Sequence, residues 1–302
     1  MTTVIRTIAE LRQAVKTYRR GASDEGAVGF VPTMGYLHEG HASLMRRSVA
    51  DNGFTVLSIF VNPLQFGPNE DLARYPRDEA RDVALATKEG VDVVFLPTVE
   101  EMYPEYPLLT TISVANVTER LCGASRPGHF DGVATVVAKL FHIVQPDRAY
   151  FGQKDAQQIA VVTRMAYDLS IPVEIVPCPI VREQDGLALS SRNVYLSPEE
   201  RTEALALSRA LGMAEGWIAE GATATELAAK LSAEIRRSPS ADIDYVEIAS
   251  YPNITPVAGD LPIREASGDV LIALAVRFGR TRLIDNLIVN SIKAGEPACS
   301  VK

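Results

Sequence analysis

Two histidines three residues apart form the segment with the clearest chemical potential. His38 and His41 enclose Glu39 and Gly40, after an apolar run and before a helical pattern. The N-terminus of a helix offers free N–H groups and a partial positive charge, which favour a bound phosphate. Gly40 lets the backbone come close to a ligand. The two imidazoles could donate hydrogen bonds to negative charge that develops on a reacting phosphorus atom.

Two other interpretations of this pair stay open when only its own residues are considered. The histidines could cap a turn at the surface, or they could bind zinc. The familiar zinc motif on a helix has histidines four apart with a glutamate beside the first. Because His38 and His41 are three apart, the pair favours phosphate over zinc, although a short motif of this kind also occurs by accident.

A loop of small polar residues carries a second group of possible phosphate ligands. Ser190, Ser191 and Arg192 follow a stretch that contains Asp185 and Gly186, a composition typical of a mobile loop. Two hydroxyl groups and one guanidinium could bind phosphate oxygens, and arginine could do so with two parallel hydrogen bonds. Taken alone, the segment is better interpreted as a polar linker.

The segment from Gly152 to Gln158 lies where a predicted strand, 148–151, meets a predicted helix. Lys154 could place a point charge beside a phosphate, and Asp155 could cap the helix or orient magnesium. The alternative is an ordinary surface Lys–Asp pair, which contributes little to stability.

Neutral amides follow another predicted strand, at the edge of the sheet where open α/β folds bind ligands. Asn62 and Gln65 could bind a hydroxylated acid, or Asn62 could simply end the strand in a turn. Farther along, Arg126 and His129 form a further candidate. For His129 the favoured interpretation is that it only precedes the next helix.

Short apolar runs alternate with helical patterns over the first 180 residues. This alternation is typical of βαβ units around a buried parallel sheet. We therefore predict a Rossmann-like α/β fold, with helices on both faces of the sheet and right-handed crossovers. The predicted strands are 27–32, 55–61, 91–97, 148–151 and 173–177, and the predicted helices are 41–52, 71–89, 132–144 and 155–169.

The pattern changes after about residue 181. Ser197, Pro198 and Glu200 have the arrangement of a helix start, with an N-cap, a proline at the first helical position and a glutamate three residues after the cap. The predicted helices are 197–220 and 225–236, and the predicted strands are 242–248, 270–277 and 282–289. We predict a first domain over 1–180 and a smaller α+β domain over 181–302.

The overall composition limits the class of partner. The 302 residues are 47% hydrophobic and 23% charged, enough apolar material for a core without disulfides or a structural metal. The formal net charge of −8 argues against a uniformly basic nucleic-acid surface, so no nucleic-acid partner is predicted. An anionic substrate would need a local cluster of cations.

Export and membrane insertion are not predicted. Residues 1–10 contain no apolar core of a secretory signal, and no apolar run approaches the length of a membrane span. Cys122, Cys178 and Cys299 are an odd number at irregular spacing, so we interpret them as ordinary thiols in a reducing compartment. The expected location is the cytoplasm.

Several strings of the sequence occur in the order and spacing of one known family. The His-x-Gly-His segment and the Ser/Arg loop resemble the superfamily of nucleotidylyltransferases and class I aminoacyl-tRNA synthetases. Five longer strings resemble the pantoate–β-alanine ligases within it: VPTMGYLHEGH, SIFVNPLQFG, RPGHFDGV, FGQKDAQQ and DGLALSSRNVYL. DYVEI and TRLIDN are also similar, so the resemblance covers nearly the whole chain.

This resemblance implies an activity and its small-molecule partners. Pantoate would attack the α-phosphorus of ATP and release pyrophosphate, and the amine of β-alanine would then attack the pantoyl adenylate to give pantothenate and AMP. Magnesium would neutralise the phosphates. Because the mixed anhydride hydrolyses easily, the 186–192 loop and the C-terminal domain are expected to act as a lid that excludes water. The family also implies a homodimer.

The resemblance assigns roles to the positions that match the family motifs. His38, His41, Lys154 and Arg192 would be catalytic, with His41 the best candidate for the proton donor or charge stabiliser. The ATP site would comprise Met34, Gly35, Tyr36, Leu37, His38, Glu39, Gly40, His41, Gly152, Gln153, Lys154, Asp155, Val181, Leu189, Ser190, Ser191 and Arg192. Gln65 and Gln158 would hold pantoate, Gln65 would also touch β-alanine, Asn62 and Arg126 would contribute to substrate binding, and Asp155 would face magnesium.

Three positions depart from the usual family pattern. Gln153 stands where the family usually has glutamate, Ala156 where it has an aromatic residue, and Leu189 where it often has methionine. The first two flank Lys154 without replacing it, and the third conserves volume. They affect local packing more than chemistry.

Three other classes of function would share parts of this sequence pattern. A nucleotidylyltransferase that joins ATP to a phosphorylated acceptor would share the His-x-Gly-His site but would not need Gln65 and Gln158. An aminoacyl-tRNA synthetase is disfavoured because no anticodon-binding segment is evident and the chain is acidic. A non-catalytic nucleotide-binding protein is disfavoured by the presence of both histidines together with Lys154 and Arg192.

Overall fold

The structure is a computed structural model that describes residues 2–22, 26–68 and 70–290. The chain divides into two compact units, Met1–Val194 and Tyr195–Lys302. The sequence predicted a boundary after residue 180, and residues 181–194 cluster with the first unit. Cys122 and Cys178 are buried, and Cys299 lies outside the described residues.

The first unit is built on a six-stranded parallel sheet. Its strand order is β1-β4-β3-β2-β5-β6. The chain starts at one edge, enters the centre at β2, returns toward the first edge through β3 and β4, and then crosses to β5 and β6 on the other side. The strands are β1 (Thr3–Ile5), β2 (Val28–Thr33), β3 (Phe54–Ile59), β4 (Val93–Phe95), β5 (Arg148–Gly152) and β6 (Glu174–Cys178).

Helices connect these strands, and those predicted over 41–52, 132–144 and 155–169 form among them. They are α1 (Ile8–Gly21), α2 (Glu39–Asp51), α3 (Glu79–Lys88), the short α4 (Val99–Met102) and α5 (Cys122–Ser125), α6 (His129–Val144) and α7 (Ala156–Asp168). Single 3₁₀ turns lie at Pro63–Gln65, Leu72–Arg74, Gln153–Asp155 and Ser191–Tyr195. No helix among the described residues has the length and apolarity that crossing a bilayer requires.

Both faces of the sheet are covered by helices. On one face Val31 and Leu57 belong to the same apolar cluster as Met45 of α2. On the other face Phe30, adjacent to Val31, packs edge-to-face on Phe141 of α6 with ring centroids 6.4 Å apart. Because successive strand residues point to opposite faces, this pair of contacts confirms the predicted Rossmann-like layering.

The helix predicted over 71–89 is wrong in its first half. Only the 3₁₀ turn Leu72–Arg74 forms there, and α3 begins at Glu79. Pro76 disfavours helical backbone at the residue before it, and the side chain of Asp78 caps the new start by accepting the N–H of Arg81. The helical period of the charged stretch concealed this stop and restart.

The second unit is α+β, as predicted. Three helices precede a three-stranded antiparallel sheet of order β7-β8-β9. They are α8 (Pro198–Glu203), α9 (Ala206–Ala219) and α10 (Ala224–Ile235), followed by β7 (Ala241–Ser250), β8 (Val270–Phe278) and β9 (Thr281–Val289). The single helix predicted over 197–220 is interrupted, because the N–H of Leu205 bonds the carbonyl of Thr202 in a tighter 3₁₀ step.

Gly132 of α6 is a point where the fold tolerates no side chain. A Cβ at this position would lie 2.6 Å from the backbone nitrogen of Gln65 and closer still to the carbonyl oxygen of Leu64. We expect Gly132→Ala to lower the free energy of unfolding by about 1–3 kcal/mol, the usual cost of overpacking. Gly212→Ala is the matched control: Gly212 lies inside α9 with nothing within 4 Å of the added methyl, so it should stabilise by about 0.5–1 kcal/mol. Urea unfolding of both variants checks this; equal effects would contradict it.

Candidate active site

The turn between β2 and α2 is fixed from a distance by one carboxylate. Gly35 and Tyr36 both have positive φ, +82° and +50°, a conformation that glycine adopts at no steric cost. Asp82 of α3, which is buried, accepts the backbone N–H of Tyr36 and of Leu37, each at 2.7 Å. Asp82 therefore replaces the backbone partners that this turn lacks. Sequence reasoning did not identify it.

The two histidines form a capping box at the start of α2. Nδ1 of His38 accepts the N–H of Gly40 at 3.1 Å, and Nδ1 of His41 accepts the N–H of His38 at 3.3 Å. The rings lie 4.1 Å apart. Since each Nδ1 is an acceptor, each neutral ring carries its proton on Nε2. The cap thus fixes a tautomer in which both histidines are Nε2–H donors. A Cβ at position 40 would lie 2.9 Å from the His38 ring, so any larger residue there would displace that ring.

Burial keeps both imidazoles neutral. It is the main cause that lowers the pKa of His38 from 6.5 to about 4, with the charge of Lys154 next in size. Burial, followed by the neighbouring His38 and Lys154, lowers the pKa of His41 well below 6.5. The pair therefore offers neutral hydrogen-bond donors near neutral pH, and a charged imidazolium is not part of the resting site.

These pKa values can be observed directly, because the chain has only four histidines. We expect the ring resonances of His38 to shift with a midpoint at about pH 4 in an NMR titration. Unfolded histidine binds its proton near pH 6.5, so between about 6.5 and 4 the unfolded state binds more protons and the free energy of unfolding falls as pH is lowered. A His38 midpoint near 6.5 would contradict this. His38→Gln identifies the resonance.

The segment after β5 brings a cation to the same edge of the sheet. Lys154 and Asp155 lie in the 3₁₀ turn that precedes α7, with Nζ 3.7 Å from Oδ2 of Asp155. The Lys154 side chain is 21% exposed and that of Asp155 is 48% exposed. Gln158 is on the first turn of α7. This Lys–Asp pair borders a cavity and is not confined to the outer surface.

A short hairpin-like loop presents the serines and arginine. Arg182 and Ala188 form an isolated antiparallel bridge, and the N–H of Leu189 bonds the carbonyl of Val181 at 3.0 Å. The hydroxyl of Ser191 donates to the backbone carbonyl of Tyr36 at 3.3 Å. The loop is therefore attached to the turn that carries the histidines, and the linker interpretation does not hold for its packing.

Asn62 is fully occupied in holding Gln65. Its Nδ2 donates to Oε1 of Gln65 and to the carbonyl of Gly132, each at 3.1 Å. Its Oδ1 accepts the hydroxyl of Tyr103 at 2.7 Å and the N–H of Leu64 at 3.3 Å. An asparagine amide has two N–H donors and two acceptor positions, so the bonds within the protein use all of them. Asn62 borders the cavity as a support for Gln65.

Arg126 and His129 form a network around the same glutamine. Arg126 makes a two-bond ion pair with Glu70, at 2.7 and 2.5 Å, and donates to Nε2 of His129 at 3.0 Å. Arginine can only donate, so Nδ1 of His129 carries the proton and donates to the carbonyl of Gln65 at 2.8 Å. Burial, then Arg126, lowers the pKa of His129 to about 4. The view that His129 only precedes a helix was incomplete, because its ring supports Gln65.

One cavity in the first unit collects most of the predicted site residues. Its walls include Met34, His38, Gly40, His41, Asn62, Gln65, Arg126, Gly152, Lys154, Asp155, Gln158, Val181, Leu189, Ser190, Ser191 and Arg192. The walls do not include Gly35, Tyr36, Leu37, Glu39 and Gln153. Leu37 belongs to the apolar core, and Glu39 forms an exposed ion pair with Arg46 of α2.

Sequence reasoning missed an apolar wall of this cavity. The wall contains Val133, Val136, Val137 and Leu140 of α6, below His129. These positions follow the 3, 4 spacing of one helix face. The helical spacing of these apolar residues is visible in the sequence and predicts a buried face. It does not distinguish a face covered by the protein core from one covered by a ligand.

The donor set for a divalent metal is small. Among the described residues, no three or more His, Cys, Asp or Glu side chains gather as a metal-binding group. Magnesium usually binds one or two carboxylates together with substrate phosphates and water, without a full protein cage. The half-exposed carboxylate of Asp155 at the cavity wall fits that mode.

Comparison with known proteins places this geometry in a family. A family model described as pantoate-beta-alanine ligase matches residues 3–288. The pantothenate synthetase of Caldicellulosiruptor saccharolyticus is 55% identical over 287 residues, covering 95% of this chain and 99% of that protein. The pantothenate synthetase of Geobacillus kaustophilus is 54% identical and covers 97% of this chain and 95% of the relative.

Solved structures agree with the sequence relatives. The pantothenate synthetase from Thermus thermophilus superposes with a TM-score of 0.86 at 49% identity, covering 95% of this chain and 99% of that chain. The pantoate-beta-alanine ligase from Francisella tularensis, complexed with beta-gamma ATP and beta-alanine, gives a TM-score of 0.74 at 31% identity and covers 95% and 98%. The chain belongs to the pantoate-beta-alanine ligase family.

Proposed function

We propose that the cavity joins pantoate to β-alanine in two steps that consume ATP. The pantoate carboxylate attacks the α-phosphorus of ATP and displaces pyrophosphate, forming pantoyl adenylate. The amine of β-alanine then attacks the acyl carbon, and AMP leaves as pantothenate forms and a proton is released. The observation that carries the proposal is the convergence of two fixed Nε2–H donors, Lys154 and Arg192 on one cavity.

The phosphate end of the cavity provides charge and hydrogen bonds. His38 and His41 donate from Nε2 to oxygens of the α-phosphate, where negative charge grows in the transition state. Lys154 and Arg192 bind phosphate oxygens from the β5–α7 turn and from the 190–192 loop. Their charges are positioned before the reaction, so little reorganisation is needed when the leaving pyrophosphate develops its charge.

The other end of the cavity suits a small hydroxylated acid with an apolar body. Gln65 and Gln158 provide amides for the pantoate hydroxyl and carboxylate groups, and Gln65 also contacts β-alanine. Asn62 supports this end through its bond to Gln65, and Arg126 does so through its network with His129. The valines of α6 cover the branched carbon chain. The complex of the Francisella relative with beta-gamma ATP and beta-alanine supports the choice of ligands.

Magnesium is proposed to accompany the nucleotide. Asp155, beside Lys154, is the group that would share the ion with the phosphates, and the metal would neutralise phosphate charge when bound. Asp155 also partly compensates Lys154, so its carboxylate limits the positive charge of the site when no nucleotide is bound.

Three broader properties belong to the same proposal. We assign residues 1–180, with the 181–194 segment that clusters with them, to ATP and pantoate binding, and the rest of the predicted 181–302 domain to a lid that excludes water from the adenylate. The expected assembly is a homodimer, as the family resemblance implies, and the expected compartment is the cytoplasm, as the cysteine pattern of the sequence implies. Light scattering tests the assembly; a monomeric mass would contradict it.

Oxygen labelling tests the reaction itself. The purified protein receives ATP, magnesium and pantoate labelled with ¹⁸O in its carboxylate, with and without β-alanine. We expect pantothenate and AMP to accumulate only with β-alanine, with one ¹⁸O in AMP and none in phosphate. Formation of ADP with label in inorganic phosphate would mean an acyl phosphate and would overturn the adenylate route. No nucleotide turnover would overturn the proposed function.

A further inference from the structure

The guanidinium of Arg192 is held by an acid that sequence reasoning did not connect to it. Nε and Nη2 of Arg192 donate to Oδ2 and Oδ1 of Asp71, at 3.0 and 3.1 Å. Asp71 lies immediately before the 3₁₀ turn Leu72–Arg74 and is 121 residues away in sequence. Both side chains are mostly buried, with 29% of Arg192 and 18% of Asp71 exposed.

This geometry uses only one edge of the guanidinium. Arginine has five N–H groups in a planar fork, and the bond through Nε and Nη2 occupies the edge that faces Asp71. Asp71 does not contact the opposite edge, which is formed by Nη1 and the outer N–H of Nη2. Two parallel bonds to a carboxylate fix the plane as well as the position of the group.

An aromatic ring and the loop backbone restrict Arg192 further. Cζ of Arg192 lies 5.8 Å from the ring centre of Tyr75, which also borders the cavity. The backbone N–H of Arg192 donates to the hydroxyl of Ser190 at 3.2 Å. Burial alone would raise the pKa of Asp71, but the hydrogen bonds and charge of Arg192 lower it below the ordinary value. Asp71 is therefore charged near neutral pH, when the pair must form.

We propose that Asp71 is a positioning residue for the reaction: it holds the Arg192 guanidinium so that the opposite edge faces the phosphates of the nucleotide. The inference rests on the proposed function and adds a residue to it. Asp71 lies outside the cavity wall that Arg192 borders, so its route to the substrate runs through Arg192. The negative charge of Asp71 weakens the electrostatic attraction of the site for ATP. Its contribution to the reaction is to orient the Arg192 guanidinium.

A double-mutant cycle separates positioning from a structural role. Asp71→Asn keeps the shape but has one acceptor and places an amide N–H against an arginine N–H. We expect kcat to fall about 10- to 100-fold, the scale of a small misplacement of a catalytic group, with KM for ATP changed less than threefold. In an Arg192→Ala background the same change should cost less than twofold. Asp71→Glu should recover part of kcat.

The control is an aspartate that pairs with an arginine far from the cavity. Asp168→Asn breaks the exposed pair with Arg164 on α7 and should leave kcat unchanged in both backgrounds. Thermal unfolding of each variant shows whether it folds. A full loss for Asp71→Asn in the Arg192→Ala background, or wild-type kcat for Asp71→Asn alone, would overturn the inference.

The proposed function and this inference can fail separately. Absence of AMP formation by the wild-type protein counts against the function only. In that case calorimetry measures the dissociation constant of ATP for each variant of the same double-mutant cycle. A change of that constant by up to about threefold on Asp71→Asn that disappears without Arg192 supports the positioning role, and no change or additive changes refute it.

Discussion

Replacement of His41 by alanine is expected to lower kcat about 10²- to 10³-fold, the usual cost of one hydrogen-bond donor to a transition state. His41 is partly buried and neutral, and its Nδ1 is committed to the N–H of His38. Its Nε2–H is thus the group left to act on the substrate. Because the resting site contains no imidazolium, the effect is loss of a directed donor, and initial rates at saturating ATP and pantoate measure it.

Two amides separate this role from helix capping. In His41→Asn the side-chain oxygen can take the place of Nδ1 and keep the cap, but nothing occupies the position of Nε2. We expect a wild-type melting temperature with the full loss of rate. In His41→Gln the amide reaches the Nε2 position, and part of the rate should return. His142→Ala, which removes an exposed histidine of α6 outside the cavity wall, is the control. A normal rate for His41→Asn would remove His41 from the mechanism.

The parts of the site that could be predicted are those in which one short segment carries both the structure and the chemistry. The turn that ends in His38 and His41 follows a strand and opens a helix, and both features appear in consecutive residues. The same holds for Lys154 after β5. Parallel strands bring their carboxyl ends to one edge, so the local patterns were sufficient to predict that these groups converge.

The acids that position these groups could not be predicted in the same way. Asp82 supports the turn at Tyr36 from α3, and Asp71 holds Arg192 across 121 residues. Each is an aspartate in a charged stretch that was predicted to be one continuous helix over 71–89. Their partners are set by tertiary packing, and nothing in the local period marks an acid that is buried. Pro76 indicates that the stretch divides into two parts, but the helical spacing of the residues around it favoured a single helix.

The fold shows the same contrast between local and distant causes. Strands β2, β3 and β5 have apolar runs that are recognisable in the sequence. The class of each domain followed from the order in which strand patterns and helical patterns occur. Strand β1 was not predicted, because three residues form a strand only by pairing with β4 from far along the chain. Helix α1 was also missed; of its fourteen residues only Leu11 and Val15 are buried, so its apolar stripe is thin.

Lys154→Ala should reduce kcat about 10²- to 10³-fold as well, because a charge placed against the transferring group is lost. The structure adds a second readout that a general packing defect would not produce. The charge of Lys154 is, after burial, the next largest cause that lowers the pKa of His38. Its removal should raise that pKa above about 4, while burial keeps it below 6.5, so the His38 resonance in an NMR titration should move toward neutral pH.

Two lysine variants complete this test. Lys154→Arg keeps the charge and should leave the His38 titration close to that of the wild type, while kcat falls because the guanidinium fork does not match the site of a compact ammonium. Lys88→Ala, in the last turn of α3, should change neither quantity. If Lys154→Ala reduced the rate but left the His38 midpoint in place, Lys154 would lie too far from the histidines for the shared phosphate site proposed here. A normal rate would exclude it from catalysis altogether.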